Sequence, residues 1–239
     1  MIVYFIRHGR PDYTTDTLLP SGRRQALRCA ERMKISGVDV IYSSSQGRAM
    51  ETAAPLAEML GLPISPVDWA RELNTESHTL VHYGVRRALS AMPMTVLHQK
   101  EYESLSLEES FEKVECFTDN EFRWRYDFIA SGLDAMLAEN GYVRRPDGLY
   151  DIVSPNEKHI AVFCHGGMSR VIVSHLLHIP YQYVAANLAE NYTGVTAFDF
   201  DARPDALSPT LPYMLSYGDV GHLFVNGKPR KSYMTGEEF

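Results

Sequence analysis

The sequence predicts an α/β fold, a three-layer sandwich with a mainly parallel central sheet and a helical cap insertion. Apolar runs rich in β-branched and aromatic residues alternate with segments of helical periodicity, which is typical of parallel sheets covered by helices on both faces. The chain has 239 residues, of which 45% are hydrophobic, so it can bury one large core. We therefore expect a single domain over residues 1–239, with a cap inserted at about 78–158.

The first part of the chain reads as a β-α-β unit followed by a second helix and a third strand. The helix between the first two strands has an N-cap candidate in Ser21 and a stop signal in Gly37. The strands are predicted at "IVYFI", "VDVIYSS" and "LPISPVDW", and the helices at "PSGRRQALRCAERMKISG" and "GRAMETAAPLAEMLG".

The last part returns to the same alternation. A buried strand, "HIAVFCH", leads into the helix "MSRVIVSHLLHIP", and "TGVTAFDFD" adds another strand. Between the two parts, residues from about 78 to 158 are rich in charged and aromatic side chains and lack this rhythm. They predict helices and loops that cover the carboxyl edge of the sheet.

Composition argues against several classes of protein. The formal net charge of -7 disfavours a nucleic-acid binder, and no segment approaches the length of a membrane span. Cys29, Cys116 and Cys164 are widely spaced and form no disulfide or zinc pattern, which favours the cytoplasm. The sequence does not determine the oligomeric state.

Cationic residues follow three of the predicted strands. Arg7 and His8 end the first strand, His165 ends the late strand, and Arg48 lies in the first turn of the helix after the second strand. Ligands of open parallel sheets bind at the carboxyl ends of the strands, and free N–H groups at a helix start favour anions. Arginine matches phosphate oxygens, Gly9 allows close approach to the backbone, and a neutral imidazole can attack phosphorus. We therefore expect a phosphoryl site with His8 as its nucleophile.

Three ordered motifs resemble the histidine phosphatase superfamily, which includes the cofactor-dependent phosphoglycerate mutases. They are "RHG" at 7–9, "SSSQGRAMETA" at 43–53 and "CHGG" at 164–167. The resemblance implies that His8 is transiently phosphorylated, that Arg7, Arg48 and His165 hold the phosphoryl oxygens, and that a carboxylate protonates the leaving oxygen. It implies a phosphorylated small molecule as substrate, with neither metal nor cofactor.

The general acid is expected shortly after the third strand. In "WARELNTESH", Glu72 fits the spacing better than Glu76, and a general acid favours apolar surroundings that keep it protonated. Where many superfamily members have Glu or Gln and then Thr after "RHG", this chain has Arg10, Pro11 and Asp12. This departure favours hydrolysis over mutase chemistry. Arg10 and Asp16 are either substrate contacts or solvated charges.

Two other functions stay open on the sequence alone. "CHGGMSR" also fits the phosphate loop of cysteine-dependent phosphatases, which would make Cys164 the nucleophile; a buried core cysteine is the simpler interpretation. A non-catalytic phosphate-binding module is the other alternative, against which the intact set of Arg7, His8, Arg48 and His165 argues. His175 and His178, three residues apart on one helix, lack a third metal ligand and are expected to pack or face solvent.

Overall fold

The computed structural model describes residues 1–73, 79–82, 85–88, 100–114, 117, 120–200 and 209–224. Its strands are β1 (Ile2–Arg7), β2 (Pro11–Asp12), β3 (Thr17–Leu18), β4 (Val40–Ser44), β5 (Ile64–Val67), β6 (Thr79–His82), β7 (Val85–Ala88), β8 (Tyr142–Arg144), β9 (Tyr150–Ile152), β10 (His159–Cys164), β11 (Val195–Asp199) and β12 (Tyr213–Asp219). Its helices are α1 (Pro20–Ile35), α2 (Gly47–Leu60), α3 (Leu107–Lys113), α4 (Asn120–Glu139), α5 (Gly166–Leu177) and α6 (Tyr181–Asn187).

Six strands form the central sheet, in the order β12-β11-β1-β10-β4-β5. β1 pairs in parallel with β10, β10 with β4, and β4 with β5. β11 and β12 run antiparallel at the other side of β1. The prediction of a mainly parallel α/β sheet is confirmed. Because β11 is antiparallel, the segment that precedes it lies at the same rim as the carboxyl ends of β1 and β10.

Alternate residues of the buried strands serve two separate cores. In β1, Phe5 belongs to the larger core, and Ile6 belongs to the smaller core that α1 and α2 cover. In β10, Val162 and Phe163 divide in the same way. Successive strand residues point to opposite faces, so two layers of helices need strands that are apolar throughout. The sandwich therefore has three layers.

The helix α1 differs in its start from the sequence prediction. Leu19 is the N-cap residue and Pro20 occupies the first turn, so Ser21 lies inside the helix and the expected Ser21 cap was wrong. Proline suits the first helical position because its fixed φ is helical and its missing N–H would have no partner there. Gly37 follows the last turn with a φ of 71°, which agrees with the prediction that this glycine ends the helix.

The described part of the 78–158 insertion contributes to the second layer of helices. Ile129 and Leu133 of α4 lie in the same core as the sheet residues Val3 and Phe5. The segment also contains two hairpins, β6-β7 and β8-β9, where only helices and loops were expected. A turn at residues 145–149 contains proline, aspartate and glycine, which are residues typical of turns. A cap over the strand ends stays a prediction, because residues 89–99 lie outside the described residues.

Among the helices of the described residues, none combines the length and the apolar character that a membrane crossing requires.

Candidate phosphoryl-transfer site

His8 and His165 meet where the parallel strands β1 and β10 end. The centroids of the two imidazole rings are 5.0 Å apart, and both side chains are buried. The pairing of Arg7 with Cys164 in the sheet fixes this meeting, since each histidine is the next residue of its strand. Arg48 joins them from the first turn of α2, with its Nε 3.3 Å from Nε2 of His8. The structure thus brings together three of the side chains that the sequence indicated.

The ring of His8 is held in one tautomer. Its Nδ1 donates to the carbonyl oxygen of Gly9 at 2.7 Å, so the lone pair of the neutral ring lies on Nε2. Burial, together with the positive charges of Arg48 and Arg7, lowers the pKa of His8 to about 3, although the Gly9 hydrogen bond acts in the opposite direction. His8 is therefore an unprotonated nitrogen base at neutral pH.

His165 lies at the start of α5 as its N-cap residue. Its Nε2 is 2.8 Å from the hydroxyl oxygen of Ser44, while its Nδ1 is buried without a partner. Burial lowers the pKa of His165 well below its usual value, and the nearby charges of His8, Arg48 and Arg7 lower it further. A buried Nδ1 with no partner can form a new hydrogen bond to a ligand oxygen.

The two arginines differ in their partners. Arg48 is 6% exposed and forms an ion pair with Asp16, which also accepts from the amide of Gly47 at 2.7 Å. Asp16 therefore orients Arg48. Arg7 donates to the backbone carbonyl of Glu190, its Nε is buried without a partner, and within the described part of the chain it forms no ion pair. The guanidinium group of Arg7 keeps capacity to bind an anion.

Glu72 reaches the pocket from the segment after β5. Its Oε1 accepts from the amides of Gly167 at 3.0 Å and Leu73 at 2.9 Å. These surroundings are polar and include Arg7 and Arg48 in the pocket wall, whereas the general-acid role led us to expect apolar ones. Glu76, the alternative acid, lies outside the described residues.

Close packing against the backbone of α1 requires a glycine at position 9, which the sequence did not indicate. A Cβ atom at this position would lie 2.6 Å from the carbonyl oxygen of Gly22 in α1, so the close packing of the two backbones excludes a side chain. The amide of Gly9 donates to Thr52 and its carbonyl accepts from His8. The contacts of Gly9 therefore orient the ring of His8, and the phosphate contact expected for Gly9 stays a prediction.

The sequence did not indicate several residues of the pocket wall. The cavity has a volume of about 290 Å³ and is lined by Arg7, Tyr13, Arg48, Glu72, Gly166, Gly167, Arg170 and Glu190. The guanidinium carbon of Arg7 lies 4.4 Å from the ring centroid of Tyr192, and that of Arg48 lies 5.6 Å from that of Tyr13. The polar run "ENYTG" just before β11 was the available signal, and it indicates a site only once β11 is known to be antiparallel.

Cys164 belongs to the core that α4 and α5 cover, and its thiol is buried. Burial raises its pKa well above the usual value, and the charges of Glu190 and Glu72 act in the same direction. A cysteine nucleophile needs a lowered pKa and access to substrate. The structure therefore favours the buried core cysteine over the cysteine-dependent mechanism.

Other residues of the sequence analysis lie away from the pocket or have partners of their own. His175 pairs with Asp134 at 3.0 Å, and Nε2 of His178 is 3.2 Å from Arg144. The amide of Arg10 donates to Gln25.

A metal ion is the other group that this cluster suggests. His8, Glu72 and His165 each offer one ligand atom, and these atoms lie within 4.8 Å of one another. However, the N–H of Arg48 points at Nε2 of His8, and a metal ion would have to displace it and bind beside two guanidinium groups. The donor set therefore fits an anion better than a cation.

Sequence comparison supports the same assignment. A family profile described as the histidine phosphatase superfamily (branch 1) matches residues 3–115, which include Arg7, His8, Arg48 and Glu72. Residues 3–115 of the chain therefore resemble the histidine phosphatase superfamily. The chain is 24% identical over 236 residues to a probable phosphoglycerate mutase of Enterobacter sp. (strain 638), covering 92% of this chain and 94% of the relative.

Two further relatives are named as phosphatases. A protein of Hydrogenobacter thermophilus with the provisional name phosphoserine phosphatase 2 is 23% identical over 215 residues, covering 86% of this chain and 92% of the relative. A phosphoserine phosphatase of Entamoeba histolytica, solved as a histidine-to-alanine mutant with phosphoserine, superposes with a TM-score of 0.61 at 18% identity. That superposition covers 93% of this chain and 99% of the other, and it shows the shared fold. The histidine phosphatase superfamily and these relatives support phosphatase or phosphoryl-transfer chemistry.

Proposed function

We propose that the protein is a phosphatase that hydrolyses a phosphomonoester of a small molecule through a phosphohistidine intermediate on His8. The observation that carries this proposal is the state of His8. Its Nδ1 proton is committed to Gly9, its Nε2 lone pair faces Arg48, and its pKa of about 3 keeps the ring neutral. A buried, neutral and oriented imidazole beside arginines is suited to attack an anionic phosphoryl group.

In the first step, Nε2 of His8 forms a bond to phosphorus while the bond from phosphorus to the ester oxygen breaks. Arg7 and Arg48 contact the phosphoryl oxygens as charge develops on them, and Nδ1 of His165 donates a further hydrogen bond while its Nε2 accepts from the hydroxyl of Ser44. Glu72, as the carboxylic acid, gives its proton to the departing alcohol oxygen. The product alcohol leaves the pocket, and His8 carries the phosphoryl group.

In the second step, the Glu72 carboxylate takes a proton from water as that water attacks phosphorus. The nitrogen–phosphorus bond breaks, inorganic phosphate leaves, and both His8 and Glu72 return to their starting forms. The amides of Gly167 and Leu73 hold one oxygen of Glu72 in place during this exchange. No step requires a metal ion, because the arginines supply the charge stabilisation.

The pocket limits the size of the substrate. Its volume of about 290 Å³ is at the low end of the range for small-molecule sites. Arg170 adds a cation to the wall, and Glu72 adds a carboxyl group. We expect a small, polar phosphomonoester, and phosphoserine and 3-phosphoglycerate are the first candidates because related structures contain them.

A phosphate-release assay with the purified protein tests this function. Phosphoserine, 3-phosphoglycerate and a panel of sugar phosphates are supplied with EDTA present, and again after a divalent ion is added in excess. We expect release of inorganic phosphate from at least one ester at the same rate under both conditions. Turnover that depends strictly on the added ion would contradict the metal-independent mechanism.

Mutase activity is the second candidate, favoured by the relative named as a probable phosphoglycerate mutase. Both activities share the phosphohistidine, and they differ in whether water or the bound alcohol takes the phosphoryl group. Phosphorus NMR of a reaction with 3-phosphoglycerate separates them. Inorganic phosphate as the main product supports the proposed phosphatase, whereas an isomeric phosphoglycerate formed before any phosphate would favour the mutase.

A further inference from the structure

Glu190 is a buried carboxyl group for which the fold provides a dedicated space. Glu190 is 5% exposed, and its Cγ lies against two glycines, Gly194 just before β11 and Gly218 in β12. A Cβ at these positions would lie 3.0 Å and 3.4 Å from Cγ of Glu190. Oε1 accepts from the hydroxyl of Thr196 at 3.0 Å, and Oε2 is buried without a partner. Glycines on both sides and a half-satisfied carboxyl group indicate a role beyond packing.

The same residue forms part of the wall of the phosphoryl pocket. Its backbone carbonyl accepts from Nη1 of Arg7, and both residues line the cavity. Arg48 has Asp16 as its counter-ion, whereas Arg7 forms no ion pair within the described segments. The charged, titratable and polar groups that face the Glu190 side chain are Arg7 from β1, Cys164 from β10, Ser169 and Arg170 from α5, Thr196 from β11 and Tyr217 from β12. The nearby cations are therefore Arg7 and Arg170.

We propose that Glu190 balances the charge of Arg7 in the empty pocket and takes up a proton when an oxyanion binds there, so that anion affinity falls as pH rises. This inference rests on the proposed phosphate site. Glu190 acts through Arg7 and is a positioning residue, since its buried carboxyl oxygens do not reach the substrate. The proton comes from solvent and binds one carboxylate oxygen, and no other bond changes.

The direction follows from electrostatics. Burial raises the pKa of Glu190 to about 7, while the Thr196 hydrogen bond and the charge of Arg7 oppose that rise. A bound dianion pairs with the guanidinium group of Arg7 and places negative charge near Glu190, so the pKa of Glu190 rises further in the complex. At a pH between the pKa of Glu190 in the free protein and its pKa in the complex, anion binding is accompanied by uptake of one proton. In that range the dissociation constant of the anion rises up to about tenfold per pH unit.

Sulfate is the probe for this coupling, because its charge does not change over the pH range in question, whereas phosphate itself titrates there. We would measure the sulfate dissociation constant by calorimetry between about pH 6.5 and 8.5, in buffers of different ionisation enthalpy so that bound protons are counted. The variants are Glu190→Gln, which is isosteric and cannot titrate, and the matched control Glu58→Gln, an exposed carboxylate on α2.

The wild type and Glu58→Gln should bind sulfate with proton uptake and weaken by roughly tenfold over one pH unit above 7. Glu190→Gln should show less than about a twofold change over the same range and should bind more tightly than wild type at the upper end. Equal proton uptake in Glu190→Gln would assign the proton to His8 or His165 and overturn the inference. If the wild type binds sulfate without proton uptake, the inference about Glu190 is wrong, but the proposed phosphate site stands. If the wild type does not bind sulfate, both the inference and the proposed phosphate site are wrong.

A second variant keeps the test decisive if Glu190→Gln does not fold. Thr196→Val preserves shape and removes the hydrogen bond that favours the ionised carboxylate. The pH range over which sulfate binding weakens should then move upward. An unchanged pH profile in Thr196→Val would contradict the assignment to Glu190.

Discussion

Two clefts of this molecule are lined by arginines, and they differ in how their charges are paired. The larger cleft, of about 820 Å³, lies between α3, α4, α5 and the β8-β9 hairpin. In it, Arg123 pairs with Glu108 and Asp127, Arg145 with Asp147, and His175 with Asp134. In the smaller pocket, of about 290 Å³, Arg7 forms no ion pair with a described residue, and Arg48 of its wall contacts the buried His8.

The comparison shows that incomplete charge pairing, and not volume, marks the site. Cations that already have carboxylate partners gain little from an anionic ligand, because they must first give those partners up. Arg7, whose Nε is buried without a partner, lines the small pocket, and His165, whose Nδ1 is also buried without a partner, directly precedes Gly166 of its wall. The following substitutions separate the two clefts.

The largest expected effect comes from His8→Ala. Removal of the proposed nucleophile should lower kcat for the best phosphomonoester by at least ~1000-fold. The matched change in the larger cleft, His175→Ala, should leave kcat within about twofold of wild type, since no proposed step uses it. Steady-state kinetics on both variants decides this, with circular dichroism to confirm that each folds. Comparable losses in the two variants would remove the distinction between the clefts.

The arginines extend the same comparison. Arg7→Ala and Arg48→Ala each remove a donor to the transferring phosphoryl group, and each should lower kcat/KM by roughly 100-fold. Arg145→Ala, which breaks exposed ion pairs with Asp147 and Asp151, should leave kcat/KM unchanged and change stability little, because surface ion pairs contribute little. A loss below tenfold in both pocket variants would argue against direct phosphoryl contacts.

Glu190 links the small pocket to stability. Its raised pKa means that the folded state holds this proton more tightly than the unfolded chain does. The stabilising contribution of this bound proton to the free energy of unfolding is therefore fully present below the ordinary glutamate pKa. It is lost as the pH rises to about 7, and above that pH the contribution of Glu190 no longer changes. Glu190→Gln should raise the free energy of unfolding at pH 8 by on the order of 1–3 kcal/mol, with less gain at pH 5. Urea unfolding at both values measures this, and a gain independent of pH would contradict the assignment.

The smallest effect is expected from Cys164→Ser. The thiol packs in the core behind the pocket, and its raised pKa excludes a ready thiolate. Turnover should stay within about threefold of wild type, while stability falls somewhat because a hydroxyl replaces an apolar sulfur group. Loss of turnover to the level of His8→Ala, in a variant that remains folded, would revive the cysteine mechanism.

Much of the fold was predictable because its signals are local. Apolar strand runs and helical periodicity gave β1, β4, β5 and β10 with their helices, and the rule for parallel sheets placed His8 and His165 at one rim. Arg48 was predictable for the same reason, since α2 begins at that rim.

The remaining parts depend on strand direction and long-range contacts. A strand pattern does not reveal whether β11 runs parallel or antiparallel, so the sequence did not predict Glu190 in the pocket wall or Tyr192 against Arg7. The reason for Gly9 was missed because its neighbour, Gly22, belongs to another element. Asp16 was left as either a substrate contact or a surface charge, since its pairing with Arg48 joins residues 32 positions apart.

The central claim is that His8 carries the phosphoryl group, and trapping the phosphoenzyme tests it most directly. The enzyme is mixed with phosphate-labelled substrate, quenched in acid and in base, and digested for mass spectrometry. A phosphohistidine is labile in acid and more durable in base, so the account predicts label on His8 that survives only the basic quench and is absent from His8→Ala. Label on Cys164, or label retained by His8→Ala, would contradict the account.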